Sequence, residues 1–579
     1  MPTEYRQPFS FFKLVRLILR GERRFYWTAT IYGIAISLLT LALPISVQIL
    51  IEAIANTALV RSVVILSIAL FILLALSGVF VALQTYVLEV FERRFLGRIT
   101  AEITMRLTHS DTAQFDQMNA DDLTNRFFEI DIVQKSLPVL LSGGLALVLQ
   151  TLVGYIVVSS YHPVFFAFSL THVLLLYLVW RVTHRGAVRT ALDLSKAKYD
   201  TASWLELLVR HHRDFKSRRG IRFAARESDK VTKQYIDAHK GHFRYSFAQT
   251  IGFLALFAIA SAALLGIGGW LVILGQLTLG QLVAAELILG AIFAGLSRFS
   301  YYLEVYYHTH VALYKLAGFF ELLLEDPSRH HAVHQWSPTV RFNHAEITFP
   351  AKTYVIDAEF SAGSSTLVAP ENVGLANVFI DMLTRMRTPE QGHILLGEHD
   401  LADFNAHELR ENVFVIAGGH AYESTITEYL RFANPELSLA SIRELLDVVS
   451  LGHIVSDLET KLDTVLATNG FPLTYAEVIR LKIARALAAA PRVLIFSSDC
   501  DVLRPEHRQR IFDYIDQLEN TTFIYLSYRL DMEGFDNYLA LESGRTEAFS
   551  TLAELIAFTR REHSSPFAKL DVASTTTDG

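Results

Sequence analysis

The sequence predicts a multidomain membrane protein: an all-α bundle of six membrane-crossing helices followed by an α/β domain. Three observations predict it. Of 579 residues, 51% are hydrophobic and only 19% charged, with a mean hydropathy of +0.30, too apolar for a soluble or disordered chain of this size. The apolar residues concentrate in the first half, in six runs at 25–51, 62–88, 136–159, 163–183, 247–274 and 280–303, each long enough to cross a hydrocarbon core of ~30 Å. Beyond Pro327 the runs shrink to strand length and alternate with helical stretches, which is α/β order. With 52 Lys+Arg against 59 Asp+Glu the net charge is -7, so the chain has no basic footprint for nucleic acid. A single cysteine, Cys500, excludes an intramolecular disulfide framework and a multi-thiolate metal site.

Residues 1–24 read as an amphipathic elbow helix, because Phe9, Phe11, Phe12, Leu14, Val15 and Ile18 are interspersed with Lys13, Arg16 and Arg20; that pattern suits a membrane surface and not a cleavable signal. The transmembrane domain runs over 25–326. Short, nearly uncharged connections around 56–61, 160–163 and 275–280 alternate with long charged segments at 89–135 and 184–246. In the long segments Leu96, Ile99, Ile103 and Leu107, and Ala202, Leu205, Leu208 and Val209, keep helical spacing, so the membrane helices continue into the cytoplasm. Lys13, Arg16, Arg20, Arg23 and Arg24, then Arg93, Arg94, Arg98 and Arg106, then the basic run from Arg210 to Arg222, all fall on one side. Both termini are therefore expected in the cytoplasm of a bacterial inner or plasma membrane.

Glu286 and Arg298 lie in or at the end of the sixth run, where an unpaired charge costs ~2.5–3.5 kcal/mol in hydrocarbon. They are expected to face a translocation path or a partner. Tyr301, Tyr302, Tyr306 and Tyr307 read as an interfacial aromatic belt. The pairs His211–His212, His308–His310 and His330–His331 have no accompanying ligand set at metal spacing, so no metal is expected. Residues 335–562 form the α/β domain, with strand-like "TYVIDAEF", "STLVAP", "RVLIFSS" and "TTFIYLSY" between helical stretches, and 563–579 read as a disordered polar tail.

The stretch "VAPENVGLANVFIDMLTRMRTPEQGHILLGEHDL", the segment "VFVIAGGHAYESTITEYL", the "ARAL" at Ala484–Leu487 and the strand "RVLIFSSDCDVL" resemble, in order and register, the stations of an ABC exporter cassette. Six helices before such a cassette resemble one ABC exporter half-transporter. A P-loop needs small residues, a lysine for the β/γ oxygens and a hydroxyl for Mg²⁺. The matching residues here are Ala369, Asn372, Gly374, Leu375, Ala376 and Asn377, without that lysine or hydroxyl. By the same resemblance the glutamine station falls at Ala417, the signature at Leu473 followed by Thr474, Tyr475, Ala476 and Glu477, the Walker B acids at Ser497 and Ser498, and the switch histidine at Tyr528. Phe349 occupies the adenine-stacking place, or closes a sheet edge. Asp499 and Asp501 are expected in a loop with the wrong geometry to replace the Walker B acids. The resemblance places coupling helices near Asp111, Phe115 and Asp116 and near Leu207 to Phe215, with Asp121 where a glycine is usual.

Every station is substituted, so the cassette is expected to be degenerate and not to hydrolyse ATP. No catalytic residue and no cofactor are expected, with weak ATP binding left open. Two readings of function stand. One is a non-catalytic subunit that supplies half of a translocation path and pairs with a second ABC chain; the other is a homodimeric scaffold, regulator or ATP-independent membrane module. Further secretion-complex subunits are candidate partners besides the lipid bilayer, and nucleic acid is not.

Overall fold

The computed structural model describes residues 11–56, 60–114, 125–296, 298–325, 336–349, 352–518 and 520–563. Phe115, Asp116, Asp121, His330, His331 and the tail beyond His563 lie outside the described residues. The chain divides into two units, Met1–Leu324 and Glu325–Gly579.

The first unit is all helix. Among the described residues six helical segments are long and apolar enough to cross a membrane: Arg20–Ile54, Val60–Thr108, Arg126–Ser159, Pro163–Arg210, Arg218–Ile273 and Leu279–Leu296. The short α1 (Phe11–Ile18) precedes them and buries Leu14 and Ile18. Its apolar stripe packs with Phe91, Phe95, Ile99, Ile130, Val133, Leu313 and Leu316 in one core. An ion pair from the buried Glu22 to the half-buried Arg98 closes the same corner, with Arg98 Nε 3.0 Å from Glu22 Oε1 and Arg98 Nη2 donating to the Ile18 carbonyl at 2.7 Å.

The first run is not one helix but two, α2 (Arg23–Leu39) and α3 (Ala42–Asn56). Pro44 explains the break: it has no N–H, and in an unbroken helix its ring would clash with the carbonyl four residues back, at Thr40. The third crossing is interrupted in the same way. Pro138 sits near the end of α5 (Glu129–Val139), and a π turn over Leu140–Gly144 precedes α6 (Leu145–Ser159). Between them runs α4 (Val60–Thr108), 49 residues long. After Pro163 at its N-terminus, α7 (Pro163–Arg210) continues for 48 residues, and α8 (Arg218–Ile273), capped by the Ser217 hydroxyl on Gly220 N–H, for 56. At 1.5 Å per residue each exceeds roughly 70 Å, so all three extend well past an apolar slab of ~30 Å.

The sixth run also departs from the expected single span, because α9 (Leu279–Leu296) stops and α10 (Phe299–Phe320) restarts after Arg298. The tyrosines that follow do not form a belt. Tyr301 is exposed, whereas Tyr307 is fully buried and its hydroxyl accepts from Gln249 Nε2 at 2.7 Å.

The second unit places one helix between two sheets. β1 (Val340–Thr348), β2 (Thr353–Phe360), β4 (Gln391–Leu396) and β5 (His399–Asp400) form an antiparallel sheet in the order β2-β1-β4-β5. At its bulge His344 adopts a positive φ of 48°, opposite Gly392 at φ 72°; a Cβ on Gly392 would stand 2.0 Å from the His344 carbonyl oxygen, so only glycine fits. The larger sheet joins β3 (Ser365–Pro370), β6 (Val413–Ile416), β9 (Val493–Phe496), β10 (Thr522–Leu526), β11 (Asn537–Glu542) and β12 (Arg545–Phe549) in the order β12-β11-β3-β10-β9-β6. Its pairs are parallel except β11 with β12. The remaining two strands, β7 (Ser424–Thr425) and β8 (Val465–Leu466), pair with each other.

Between the sheets lies α11 (Val373–Leu383), whose Val378, Phe379 and Met382 are buried against Phe342, Phe360, Ile495 and Ile524. The Phe379 ring stacks on Phe342 at 4.8 Å. Replacing Phe379 by Ala is expected to lower stability by about 3–5 kcal/mol, read as a loss of melting temperature of the detergent-solubilised chain; an unchanged melt would show that this core does not hold the unit together.

Candidate functional site

In an open parallel sheet the ligand-facing edge lies at the carboxyl ends of the strands. Here β10 lies between β3 and β9, with Leu526 beside Val368 and Tyr525 beside Phe496, and Ser527 N–H donates to the Val368 carbonyl at 2.9 Å. Ser497 and Ser527 follow directly on β9 and β10, and Ala369 is the next-to-last residue of β3. On the outer strand Ser497 N–H donates to Ile416, the last residue before Ala417. The stations read from the sequence at the P-loop, Walker B, glutamine and switch positions therefore share one sheet edge.

At the P-loop the loop after β3 turns directly into α11. Asn372 caps the helix, its Oδ1 accepting from Leu375 N–H at 3.0 Å. Leu375 is fully buried and Ala376 nearly so, while Asn377 is exposed. Gly374 lies tight against Tyr354, whose hydroxyl would stand 2.5 Å from a Cβ there. Glu371 accepts from Lys352 Nζ at 3.0 Å. Although burial opposes its ionisation, Lys352 and Ser543 N–H hold its carboxyl below the usual range. The start of α11 keeps the backbone frame of an anion-binding helix end, with one of its amides taken by Asn372. Phe349 packs against the inner core, and the Arg387 guanidinium lies 3.7 Å over one face of its ring.

The signature station opens a helix, α12 (Tyr475–Ala489). Thr474 N–H donates to Glu477 Oε2 at 2.7 Å, so the helix start carries its own carboxylate. Tyr475 reaches back across the sheet edge: its ring lies against Gly419, and its hydroxyl donates to Asp499 Oδ1 at 2.7 Å. The other oxygen of Asp499 accepts from Gly418 N–H at 2.6 Å and from Ser497 Oγ at 3.1 Å. Burial raises the Asp499 pKa, but these donors outweigh it and the carboxyl sits below its ordinary value. Burial and that carboxylate push the Tyr475 phenol up to about 12. Beside them Lys482 donates to the Ala417 carbonyl at 2.7 Å.

Asp501 is bonded differently, receiving Ser527 Oγ at 2.7 Å; burial leaves its pKa raised. Asp499 and Asp501, expected in a loop, occupy a short 3-10 turn over Ser498–Val502 and tie neighbouring segments together. Spacing from the Walker B strand placed them correctly but did not identify Tyr475 or Gly418 as partners.

In the first unit Glu286 and Arg298 are exposed, and among the described residues no side chain pairs with Glu286. Asp111 N–H donates to the Leu323 carbonyl at 3.0 Å. Leu207 is exposed near the end of α7, and Phe215 stacks on Phe223 at 6.3 Å after the turn. The site reading missed a cluster, for His308 meets His242 and Glu304.

Residues 26–205 match the family model described as ABC transporter transmembrane region. Across 539 residues, 90% of this chain and 75% of the relative, the chain is 22% identical to the leukotoxin translocation ATP-binding protein LktB of Mannheimia glucosida. It is 21% identical over 536 residues, with the same coverage, to the leukotoxin export ATP-binding protein LtxB of Aggregatibacter actinomycetemcomitans. The structure of a bacterial Atm1-family ABC exporter with ATP bound aligns with a TM-score of 0.80 at 17% identity, over 97% of this chain and 99% of that one. In fold the chain is thus like an ABC exporter half, a multi-pass helical membrane domain followed by an α/β domain of nucleotide-binding type.

These likenesses correct the expectation that the cassette does not hydrolyse ATP, since the relatives that match along nearly the whole chain are named ATP-binding export proteins. The physical reason lies in what the sequence reading counted. Side chains are substituted at every station, whereas the sheet edge and the start of α11 keep their backbone arrangement, apart from the Leu375 amide that Asn372 caps.

The Asp499 network makes its own prediction. A carboxyl held below its ordinary pKa stabilises the fold above the unfolded value, near 4, and that stabilisation is lost as pH falls through the folded value. Asp499→Asn is expected to cost about 1–2 kcal/mol at pH 7 after allowance for solvent at this edge. The gap from the unsubstituted protein should close as pH drops below about 4, measured by thermal melts across a pH series.

Proposed function

We propose that this chain is one half of a dimeric ABC-exporter-like transporter, supplying half of the translocation path, with both termini in the cytoplasm and ATP as the ligand of its cassette. The observation that carries this reading is the likeness to an exporter over 97% of the chain, through both units at once. The exposed Glu286 and Arg298 support a path or a second chain beside the last span, because a lipid-facing charge there is costly. The basic clusters flanking the crossings support the orientation. The relatives' names supply ATP as ligand, and the α11 helix start supplies amide donors for its phosphates.

Native mass spectrometry of the gently extracted protein tests the pairing. A complex of two ABC chains is expected, either two copies near twice 65.2 kDa or one copy with a different half-transporter; a monomer carrying no second chain would sink the proposal. Nucleotide use is tested separately. In reconstituted protein, MgATP binding and turnover are expected, and Leu375→Lys, which restores an ammonium to the helix start, should tighten MgATP about tenfold. No binding at millimolar MgATP in either protein would remove ATP from the reading and leave the pairing standing.

A further inference from the structure

Two side chains four residues apart on one helix meet a third from a distant helix in the helical unit. His242 on α8 and Glu304 and His308 on α10 bring one ligand atom each to within 4.8 Å of one another. Nε2 of His242 lies 3.0 Å from Glu304 Oε1, and Nε2 of His308 lies 3.2 Å from the same oxygen. His242 is buried, at 3% exposure. It stands just ahead of the apolar run that begins at residue 247.

The surrounding bonds suit a His242 with its proton on Nδ1. With the Thr190 hydroxyl given to the Gly186 carbonyl at 2.8 Å, its oxygen can accept from His242 Nδ1, 3.1 Å away. A neutral His242 in that tautomer turns the Nε2 lone pair toward a carboxylate oxygen. A cation between the two lone pairs relieves their repulsion: a second proton on the imidazole, or a metal ion. The rest of the arrangement favours the metal. A second imidazole aims at the same oxygen, Thr190 fixes the first ring, and Ser246 Oγ donates to Glu304 Oε2, which are the outer bonds that orient a histidine–carboxylate ligand set. Tetrahedral zinc at ~2.0–2.2 Å from each donor separates its ligands by about 3.4 Å, so small rotations of the side chains suffice.

We propose that His242, Glu304 and His308 form a divalent-metal site of zinc type linking α8 to α10. The two imidazoles and one carboxylate are donors of intermediate softness, which suit zinc over calcium or magnesium. His308 is 48% exposed, so the fourth position opens on that side to water or to a donor group of a passing ligand. The site stands independently of the reading of the cassette.

The test uses the full chain, purified in detergent through a tag free of histidine and dialysed against buffered micromolar zinc. About one zinc per chain is expected by elemental analysis, with Co²⁺ substitution giving the visible absorption of a four-coordinate ion. His308→Ala at the exposed rim and Glu304→Gln should each reduce bound metal at least tenfold, and added zinc should raise the melting temperature of the unsubstituted chain but not of His308→Ala. Should Glu304→Gln fail to fold, the rim variant still decides. A chain that retains no zinc, or a His308→Ala variant that retains all of it, would overturn the site and leave a protonated histidine–glutamate pair.

Discussion

A backbone amide inside hydrocarbon has no water to bond, and the helical unit is arranged around that constraint. The long α4, α7 and α8 satisfy their peptides from within except at their ends. Two of the breaks lie at prolines, and residues beside them bond locally. After Ile36 and Ser37, Thr40 gives its N–H to the Ile36 carbonyl and its hydroxyl to Ser37. Past Pro138, Ser142 gives its hydroxyl to the Pro138 carbonyl, inside the π turn. Two glutamines that enter the interior are bonded there: Gln84 donates to the Ala29 carbonyl at 2.8 Å, and Gln249 bridges Thr183 and Tyr307.

Much of this was legible in the sequence, because run length, loop charge and strand-length apolar stretches report directly on burial. The two proline interruptions were legible in principle, since Pro44 and Pro138 sit in the runs, but hydropathy averages over them. The end of α9 before Arg298 was not, as Leu296 and Phe299 are equally apolar and only the packing separates them. Tyr307 shows the same limit: a tyrosine near a span end suits the water interface, yet here Gln249 from another helix satisfies its hydroxyl and allows full burial.

The candidate sites divide along a similar line. Stations that follow one another in fixed order could be read by register, and Asn372, Ala417, Thr474, Ser497 and Tyr528 all fall at the ends of elements that the sheet brings together. Partners from different parts of the chain could not. Tyr475 and Asp499 are 24 residues apart, His242 and Glu304 are 62 apart, and no spacing rule links them. The reading of a non-hydrolysing cassette went astray for a related reason, since substituted side chains are visible in a sequence while an intact backbone cradle is not.

The bond from Tyr475 to Asp499 has a mechanical meaning. Asp499 also accepts from the N–H of Gly418, and Lys482 donates to the carbonyl of Ala417, so a single peptide of the loop after β6 is held at both its polar atoms, by Lys482 of α12 directly and by Tyr475 of α12 through Asp499. Loop and helix are therefore not independent: drawing the loop away from α12 means breaking the Lys482 bond and either the Gly418–Asp499 or the Tyr475–Asp499 bond together.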